Sequence, residues 1–274
     1  ADHQLMLEKP EQILVGVSLL MRAVNVTKGY IGIENNKPDA IALMREKAAK
    51  YPNIEIVPLK VQYPQGGEKQ LIDAVIGRQV PNPPAIPIAV GAVVQNVGTA
   101  YAVYEAVIKN KPLFERVVTV TGKALANPSN LLTRMGTPMS MLIEAAGGMP
   151  ENTGKIIGGG PMMGKALVNA EVPICKGSSG VLLMTEEESV RGEEQNCIRC
   201  AKCVGACPMG LEPYLLAKLG EYGDWERAEN EDIMTCIECG CCTFTCPSNR
   251  PLLDWVRLAK NTVGGIIRER NMKK

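Results

Sequence analysis

The chain has 274 residues and a formal net charge of +1, and this length predicts two or three domains. The near-neutral charge and the aromatic content of 4% argue against a nucleic-acid binder that relies on clustered cations or stacking rings. The one histidine, His3, stands close to the first residue, which argues against a mechanism with an internal histidine base.

The first hundred residues alternate between helical and strand patterns. Pro10 suits the first position of a helix, and the apolar residues after it recur at helical spacing. We predict helices over about 10–24, 36–50, 68–76 and 98–109, and strands at Tyr30–Ile33 and Ile54–Val57. A further apolar, β-branched stretch, Ile86–Val94, is broken by Pro87 and Gly91. This alternation is typical of a parallel α/β sheet.

Two loops fall where such a sheet binds ligands, beyond the carboxyl ends of its strands. They are Tyr63–Lys69 (YPQGGEK) and Gln95–Thr99 (QNVGT). Glycines before a helix let a ligand approach the backbone, and free N–H groups at a helix start favour an anion. The alternative is an ordinary turn and a helix cap, and no G-x-G-x-x-G motif is present. The candidate cofactor-binding residues are Gly66, Gly67, Glu68, Lys69, Asn96 and Thr99.

From Arg116 onward the pattern changes to short strands around one helix. Val117–Thr121 and Val181–Met184 are predicted strands, and Pro138–Ala146 is a predicted helix. This arrangement predicts a small β-grasp-like α+β domain. The segment Gly158–Gly164 (GGGPMMG) is either an adaptable apolar contact made by its methionines or a tight turn with two core methionines.

Two features precede the main cysteine segment. Cys175 is isolated, and we expect it to be a buried structural thiol. Residues 185–195 (TEEESVRGEEQ) carry five glutamates and are expected to form a solvated linker or the start of a helix.

Nine of the ten cysteines lie between Cys197 and Cys246, in two copies of the motif C-x2-C-x2-C-x3-C-P. Each cysteine of the first copy is matched 39 residues later, as Cys197 is by Cys236, so the segment is an internal duplication. Three thiolates at this spacing can wrap a curled loop around three corners of a cubane cluster, and the proline ends the loop. In two-cluster ferredoxins the fourth cysteine binds the other cluster.

We therefore predict two [4Fe–4S] clusters with crossed ligands. Cluster 1 is assigned to Cys197, Cys200, Cys203 and Cys246, and cluster 2 to Cys236, Cys239, Cys242 and Cys207. The alternatives fit less well, because structural zinc usually takes two separated C-x2-C pairs and disulfide scaffolds are typical of short secreted chains. Cys241 falls outside the register and is expected to be a spare thiol. Four apolar residues are expected to shield the clusters: Ile198, Val204, Ile237 and Phe244.

Helical patterns flank the cysteine motifs and predict an α-helical ferredoxin domain rather than a β-rich one. They cover Glu212–Leu219, Trp225–Ile233 and Pro251–Arg270, the last with a possible bend at Gly264 and Gly265. From residue 251 to the end the chain has six basic and two acidic residues. This tail is interpreted either as a contact for an anionic membrane surface or an acidic partner, or as a solvated helix end.

Four segments, in this order, resemble the C subunit of the Rnf electron-transport complexes: GGEKQLI, AVVQNVGTAYAVYEAV, GGGPMMG and the paired cysteine motifs. The resemblance covers essentially the whole chain. The first half also resembles the flavin-binding NADH subunit of respiratory complex I, in which the motif G-E-E-T-A-L binds cofactor. Residues 66–71 align with that motif, with Gly67 in place of its first Glu, and Gln95–Thr99 aligns with Asn-Asn-Val-Glu-Thr.

The resemblance implies a multidomain α/β plus α+β protein. Its parts are a Rossmann-like NADH- and FMN-binding domain over residues 1–111, an SLBB β-grasp domain over 112–187 and an α-helical two-cluster ferredoxin domain over 188–274. It implies that FMN accepts hydride from NADH and passes single electrons to the two [4Fe–4S] clusters. The implied protein is the peripheral electron-input subunit of a membrane-bound, ion-translocating NADH:ferredoxin oxidoreductase. The other subunits of that complex are its implied partners, on the cytoplasmic side of the cell membrane.

One departure from the family concerns the flavin site. The family has a glycine-rich flavin loop of the kind GxGGxGFP before the region where this chain starts, and the chain lacks both this loop and an initial methionine. Either the chain is a fragment or its flavin binding is impaired, and our hypothesis is that the missing segment completes the flavin site. The polar opening segment, and the lack of any run of roughly 18 apolar residues, predict no signal peptide and no transmembrane segment.

Two other functions fit the same domain order. One is a related flavin and iron–sulfur cobalamin reductase, which would reduce a cobalamin acceptor. The other is a non-enzymatic electron-relay or docking subunit without a flavin of its own.

Overall fold

A computed structural model describes residues 1–273, which divide into two units. The first comprises Ala1–Gln79 with Val90–Ser189, and the second comprises Val80–Ala89 with the residues from Val190 onward. The first unit has two separate apolar cores, one in the α/β part and one in the β-grasp part. The boundaries that we predict at residues 111/112 and 187/188 remain predictions.

The α/β part contains five helices and a two-stranded parallel sheet. Its elements are α1 (Asp2–Glu8), α2 (Pro10–Ala23), β1 (Gly29–Glu34), α3 (Pro38–Ala48), β2 (Ile54–Leu59), α4 (Glu68–Ile76) and α5 (Val97–Ile108). Proline begins both α2 and α3, where its missing N–H group costs no helical hydrogen bond. Gly77 ends α4 in the left-handed conformation, at φ 64°. The predicted strands and helices of this part are therefore confirmed.

The core of the α/β part lies between the sheet and its helices. Strands β1 and β2 pair from Gly29 with Ile54 to Glu34 with Leu59. Helices α2 and α5 pack closely because Gly16 has no side chain, and a Cβ atom there would overlap the carbonyl oxygen of Ala100. The residues that are completely buried in this core are Ile13, Leu14, Ala40 and Met44.

Two parts of this region had no helix or strand assigned from the sequence. Residues 2–8 form α1, although we expected only a polar opening segment. The apolar stretch Ile86–Val94 forms no strand: it makes a short 3-10 turn at Pro87–Val90, followed by irregular backbone. Pro87 cannot donate to a strand ladder, and Gly91 has a φ of 68°, which interrupts an extended chain.

The middle of the chain is a five-stranded mixed sheet around one helix. Its elements are β3 (Glu115–Thr121), β4 (Ser129–Arg134), α6 (Met139–Ala145), β5 (Thr153–Gly158), β6 (Lys165–Leu167), β7 (Gly180–Thr185) and the short α7 (Glu186–Ser189). The strand order is β4-β3-β7-β5-β6, with β3 and β7 parallel and the other pairs antiparallel. Helix α6 supplies Met139, Leu142 and Ile143 to the core, which confirms the predicted β-grasp-like arrangement.

Two interpretations for this part are wrong. Cys175 is exposed. It lies in the loop before β7, where its amide N–H donates to Ser178 Oγ at 3.0 Å. Neither methionine of the GGGPMMG turn is buried, and Met163 is 50% exposed, so they are not core residues. The turn closes through its backbone instead, with the Gly164 amide donating to the Gly160 carbonyl at 2.8 Å.

The second unit is helical, as predicted for the cysteine domain. Its elements are α8 (Lys202–Gly205), α9 (Pro213–Tyr222), α10 (Trp225–Asn230), a 3-10 turn (Ile233–Thr235), α11 (Cys241–Phe244) and α12 (Leu252–Met272). Helices α9 and α12 form the main contact, with Gly220 close to the Trp255 carbonyl. Helix α12 is continuous through Gly264 and Gly265, where we considered a bend.

The basic tail is partly neutralised within the unit. Arg257 and Lys260 bind Glu238, and Arg270 binds Glu229 with both of its terminal nitrogens, at 2.9 and 3.0 Å. Three of the tail's cations therefore serve internal contacts; Lys274 lies outside the described residues. Across residues 1–273, every helix is too short or too polar to cross a bilayer.

We predict that Gly16→Ala destabilises the protein by about 1–3 kcal/mol, because the added methyl group must separate α2 from α5. The control is Gly265→Ala, where the nearest atom to the new methyl group is a flexible Arg268 nitrogen at 4.0 Å. The control should stabilise α12 by about 0.5–1 kcal/mol. Denaturant unfolding of both variants tests this, and equal stability of the two would contradict the α2–α5 contact.

Candidate functional site

The two copies of the cysteine motif have the same backbone winding. Arg199 and Glu238, at matched positions, are left-handed with φ of 56° and 57°. Ala201 and Gly240, the next matched pair, are also left-handed, with φ of 57° and 83°. Non-glycine residues seldom adopt this conformation, so it marks a constrained backbone. The left-handed residues between the cysteines curl each loop, as the predicted wrapping requires.

Each curled loop continues into a one-turn helix. Helix α8 in the first copy and α11 in the second lie at the same positions of the repeat. Their amide bonds match as well: the Cys207 amide donates to Val204, and the Cys246 amide donates to Thr243. A third matched pair of left-handed residues, Gly210 and Asn249, follows each C-P sequence. The duplication in the sequence is therefore also a duplication of structure.

Four cysteines from both copies surround one small cavity. Cys207 of the first copy lines it together with Cys236, Cys239 and Cys242 of the second. These are the four residues that the sequence assigns to cluster 2. The other lining residues are apolar or glycine: Pro208, Met209, Leu211, Pro213, Leu216, Ile237, Gly240, Leu253 and Val256.

Polar groups of the second copy and of α12 make hydrogen bonds beside this cavity. The Glu238 amide donates to Cys236 Sγ at 3.3 Å. Lys260 Nζ donates to the Cys236 carbonyl at 2.7 Å and to Glu238 Oε1 at 3.0 Å. Burial raises the pKa of the Cys236 thiol, and the Lys260 charge opposes that rise. Burial also raises the pKa of Cys242, to about 11.

The four residues assigned to cluster 1 are more open. Cys197 and Cys200 are exposed, and Cys203 and Cys246 are half-buried. Burial raises the pKa of the Cys203 thiol, and the charge of Cys246 adds to the rise, so these two residues of different copies are close. The Tyr214 amide donates to Cys203, and a hydrogen bond to Glu212 raises the pKa of the Tyr214 phenol. The charges of Cys203 and Cys197 add to that increase.

The donor set fits cubane clusters. Among residues 1–273, no group of three or more His, Cys, Asp or Glu side chains is arranged to hold one metal ion. In a cubane cluster each thiolate binds a different iron atom, so its four cysteines surround the cluster at a distance from one another. The apolar wall and the amide donor to Cys236 are the features that such clusters use to set their reduction potential.

Two of the four residues expected to shield the clusters are at the surface. Ile198 is 67% exposed and Phe244 is 82% exposed, whereas Val204 and Ile237 are half-buried. Helix α12 supplies apolar side chains to the cluster 2 cavity, and Ile198 and Phe244 lie outside that cover. Burial raises the pKa of Cys241 to about 12, and Cys241 is not among the residues lining the cavity.

A second candidate site is a cleft of about 570 Å³ in the α/β part. All six residues of β1 line it, and so do residues of both loops that the sequence singled out. Gly66 and Asn96 are among the lining residues, whereas Gly67, Glu68, Lys69 and Thr99 do not line the cleft. The structure therefore brings the two loops to one cleft.

Hydrogen bonds and an ion pair hold several of the residues that line the cleft. Asn96 caps α5 by accepting a hydrogen bond from the Gly98 amide at 2.8 Å, and its Nδ2 donates to Asp2 Oδ2 at 2.7 Å. The Cβ position of Gly66 has no neighbour within 4 Å, so its backbone is open to a ligand. Lys37 binds Glu34 at the end of β1 at 3.0 Å.

The cleft fits a flavin in size and character, because cofactor pockets are typically about 300–1,000 Å³ and mostly apolar with a few polar groups. The apolar wall of the cleft comes from α2, β1 and the irregular segment after residue 90, and the sequence analysis did not assign these residues to a binding site. The one pattern that could have indicated it is the apolar stripe of α2, which contributes Val17, Leu20 and Met21.

Three family models match the chain in succession. They are the Nuo51 FMN-binding domain over residues 1–105, the SLBB domain over residues 117–166 and the 4Fe-4S dicluster domain over residues 189–247. The chain therefore contains the three kinds of domain that the sequence predicts.

Structures of a NAD⁺-reducing [NiFe]-hydrogenase share the fold. The H2-reduced state matches with a TM-score of 0.61 and 17% identity, over 95% of this chain and 53% of that chain. The air-oxidised state matches with a TM-score of 0.57 and 19% identity, over 98% of this chain and 45% of that chain. At these identities the likeness supports the fold alone.

Curated relatives are closer in sequence. The C subunit of the Na(+)-translocating ferredoxin:NAD(+) oxidoreductase complex of Acetobacterium woodii is 42% identical over 96% of this chain and 59% of its own length. The C subunit of the proton-translocating ferredoxin:NAD(+) oxidoreductase complex of Clostridium ljungdahlii is 46% identical over 84% and 50%. The C subunit of the ion-translocating oxidoreductase complex of Rhodobacter capsulatus is 40% identical over 100% and 52%.

The chain thus spans between half and three fifths of the length of these relatives. Across that span it shares 40–46% identity with them and has the three matched domains in order. The chain belongs to the family formed by the C subunits of the Rnf-type, ion-translocating ferredoxin:NAD⁺ oxidoreductase complexes.

Proposed function

We propose that the protein containing this chain is the peripheral electron-input subunit of an ion-translocating NADH:ferredoxin oxidoreductase. It passes electrons between NADH, FMN and two [4Fe–4S] clusters. The observation that carries the proposal is the duplicated cysteine fold, in which Cys207 joins three cysteines of the other copy around one cavity. The named functions of the relatives support the same conclusion.

Eight cysteines hold the two clusters in this proposal. Cluster 1 takes Cys197, Cys200, Cys203 and Cys246, and cluster 2 takes Cys236, Cys239, Cys242 and Cys207. These crossed ligands join the two copies, because each copy supplies the fourth cysteine of the other copy's cluster. The contact between α8 and α11, the one-turn helices that precede these fourth cysteines, supports the crossed arrangement.

Residues of the α/β part would bind the flavin. When bound, FMN supplies the conversion between the two-electron hydride of NADH and the one-electron steps of an iron–sulfur cluster. The apolar side chains of the cleft exclude water, and Gly66 leaves backbone accessible. The starts of α4, at Gly66, Gly67, Glu68 and Lys69, and of α5, at Asn96 and Thr99, would favour a phosphate through the positive ends of the two helices. The Gly67 and Thr99 amides already donate to the Pro64 and Asn96 carbonyls, so they would contribute through the helix dipole rather than as free donors.

The partners of the protein follow from its family. We propose that it lies on the cytoplasmic side of the cell membrane, against the other subunits of the complex. The relatives, which are named as subunits of translocating complexes, support the association with other subunits.

We expect Gly66→Val in the whole subunit to lower FMN affinity by about tenfold or more, because the branched side chain occupies open space at the cleft. The matched control is Gly177→Val, since Gly177 also has no neighbour within 4 Å and lies in the β-grasp part. FMN release is measured by fluorescence, and cluster reduction by EPR after addition of NADH. Only Gly66→Val should slow reduction by NADH, while dithionite reduces both variants.

The same measurement separates the alternative functions. A whole subunit that has no FMN and does not reduce its clusters with NADH would be a relay or docking subunit. A subunit that transfers NADH electrons to a cobalamin acceptor faster than to ferredoxin would be a cobalamin reductase. Wild-type flavin content in Gly66→Val would show that the cleft is not the flavin site.

Pairs of cysteine substitutions test the crossed ligands. Cys207→Ala with Cys236→Ala removes two ligands of one cluster if the ligands cross, so about four irons per chain should remain. Cys203→Ala with Cys207→Ala then damages both clusters. The uncrossed arrangement predicts the opposite result for the two pairs. Cys241→Ala should keep about eight irons, and iron analysis with EPR distinguishes these outcomes.

We expect Lys260→Met to lower the reduction potential of cluster 2, because the lost ammonium group faces Cys236 and favours added negative charge. A tenfold change in a one-electron equilibrium corresponds to about 59 mV, and we expect a shift of about that size. Lys260→Arg keeps the charge and is the control. An EPR-monitored redox titration measures both potentials, and an unchanged potential in Lys260→Met rules out this role.

A further inference from the structure

We infer that Thr243 raises the reduction potential of cluster 2. Its hydroxyl oxygen accepts a hydrogen bond from the start of α12, and the same hydroxyl donates to the sulfur of Cys242. Thr243 is a positioning residue in this inference, because it acts on the cluster through Cys242. The inference rests on the proposed function, since it requires that both clusters are present.

The first argument is the place of Thr243 between α12 and a ligand of cluster 2. Thr243 follows Cys242 in α11 and is half-buried. Its Oγ1 accepts a hydrogen bond from the Leu253 amide at 2.8 Å. Cys242 and Leu253 both line the cluster 2 cavity. The orientation of the hydroxyl is therefore fixed by α12, next to the cavity that holds the four cysteines.

The second argument is that the hydroxyl still has a hydrogen to donate. A hydroxyl oxygen that accepts from an amide keeps its own O–H group as a donor. Burial raises the pKa of the Cys242 thiol to about 11, and a hydrogen bond from the Thr243 side chain opposes that rise. Such a bond favours the thiolate, which is the form that binds iron.

The third argument is the matching contact in the first copy of the motif. Tyr214 and Leu253 are 39 residues apart, and each is the second residue of a helix, in α9 and α12. An amide at that position has no partner within its own helix. The Tyr214 amide donates directly to Cys203, the counterpart of Cys242. Both copies therefore direct the start of a helix toward the third cysteine, and in the second copy the Thr243 hydroxyl connects them.

The first copy has no such hydroxyl. Val204 stands where Thr243 stands in the second copy, and its side chain can neither accept from an amide nor donate to a sulfur atom. The contact is thus a side-chain difference between two copies that share their backbone winding. We therefore expect removal of the Thr243 hydroxyl to affect cluster 2 alone.

The expected direction of the effect follows from charge. Reduction adds one electron to the cluster, and the hydroxyl proton stays on Thr243, so no bond is broken. Hydrogen bonds to the cysteine sulfurs stabilise the more negative, reduced cluster and so raise its potential. The Leu253 amide polarises the Thr243 hydroxyl, and a chain of hydrogen bonds of this kind strengthens the last donor.

The test is an EPR-monitored redox titration of the whole subunit with both clusters assembled. We expect Thr243→Val to make reduction of cluster 2 about tenfold less favourable, which is a fall of about 59 mV, and to leave cluster 1 unchanged. Thr243→Ser keeps the hydroxyl and should keep the wild-type potential. The variant with Cys207→Ala and Cys236→Ala, which should retain only cluster 1, identifies the signal of that cluster.

The matched control is Thr262→Val, because the Thr262 hydroxyl on α12 donates to the Leu258 carbonyl at 3.0 Å rather than to a cysteine. It should change neither potential. Thr243→Val also leaves the Leu253 amide without its acceptor, so denaturant unfolding is measured on every variant, and Thr243→Ala serves as a second variant without the hydroxyl.

Lowered stability with an unchanged cluster 2 potential would overturn the inference, because Thr243 would then only cap α12. An equal fall in Thr262→Val would overturn it as well. Iron content and reduction by NADH are measured on the same samples. A subunit that has about eight irons but is not reduced by NADH contradicts only the proposed function.

Discussion

The cysteine segment depends on one backbone constraint, which is the left-handed turn between successive cysteines. Without it, residues three apart in an extended or helical chain cannot direct three sulfur atoms toward one point. Arg199 and Glu238 adopt this conformation although they are not glycines. Such a conformation persists only where surrounding contacts overcome its cost. The matched amide bonds after each turn, and the contact of α8 with α11, are those contacts.

The helices of the second unit give the two copies different surroundings. Helices α9 and α12 pack together through Gly220 and Trp255, and α12 then supplies Leu253 and Val256 to the cavity of cluster 2. The same helix supplies Lys260 and Arg257 to Glu238. One helix therefore provides apolar cover and charge compensation for one copy of the repeat, while the other copy stays open to solvent.

The sequence allowed much of this to be predicted, for identifiable reasons. The helices of the α/β part follow from proline starts and apolar stripes, and the cysteine ligands follow from spacing that few other sites share. No strand was assigned to Ile86–Val94, where Pro87 and Gly91 interrupt the apolar pattern, and the structure has none there. Exposure of Phe244 and Cys175 was missed, since the covering of a side chain depends on distant elements.

The repeat of the cysteine motif has a consequence for how its two predicted cluster sites differ. Two equal sites related by duplication would have no preferred entrance and exit. Here the backbone is repeated, but Arg199 stands where Glu238 stands in the other copy, and Glu238 is bound by Arg257 and Lys260 of α12 whereas Arg199 is exposed. The symmetry of the repeat persists in the main chain and is lost in the side chains. The two sites are therefore not equivalent, since the second copy is covered by α12 and the first is open to solvent.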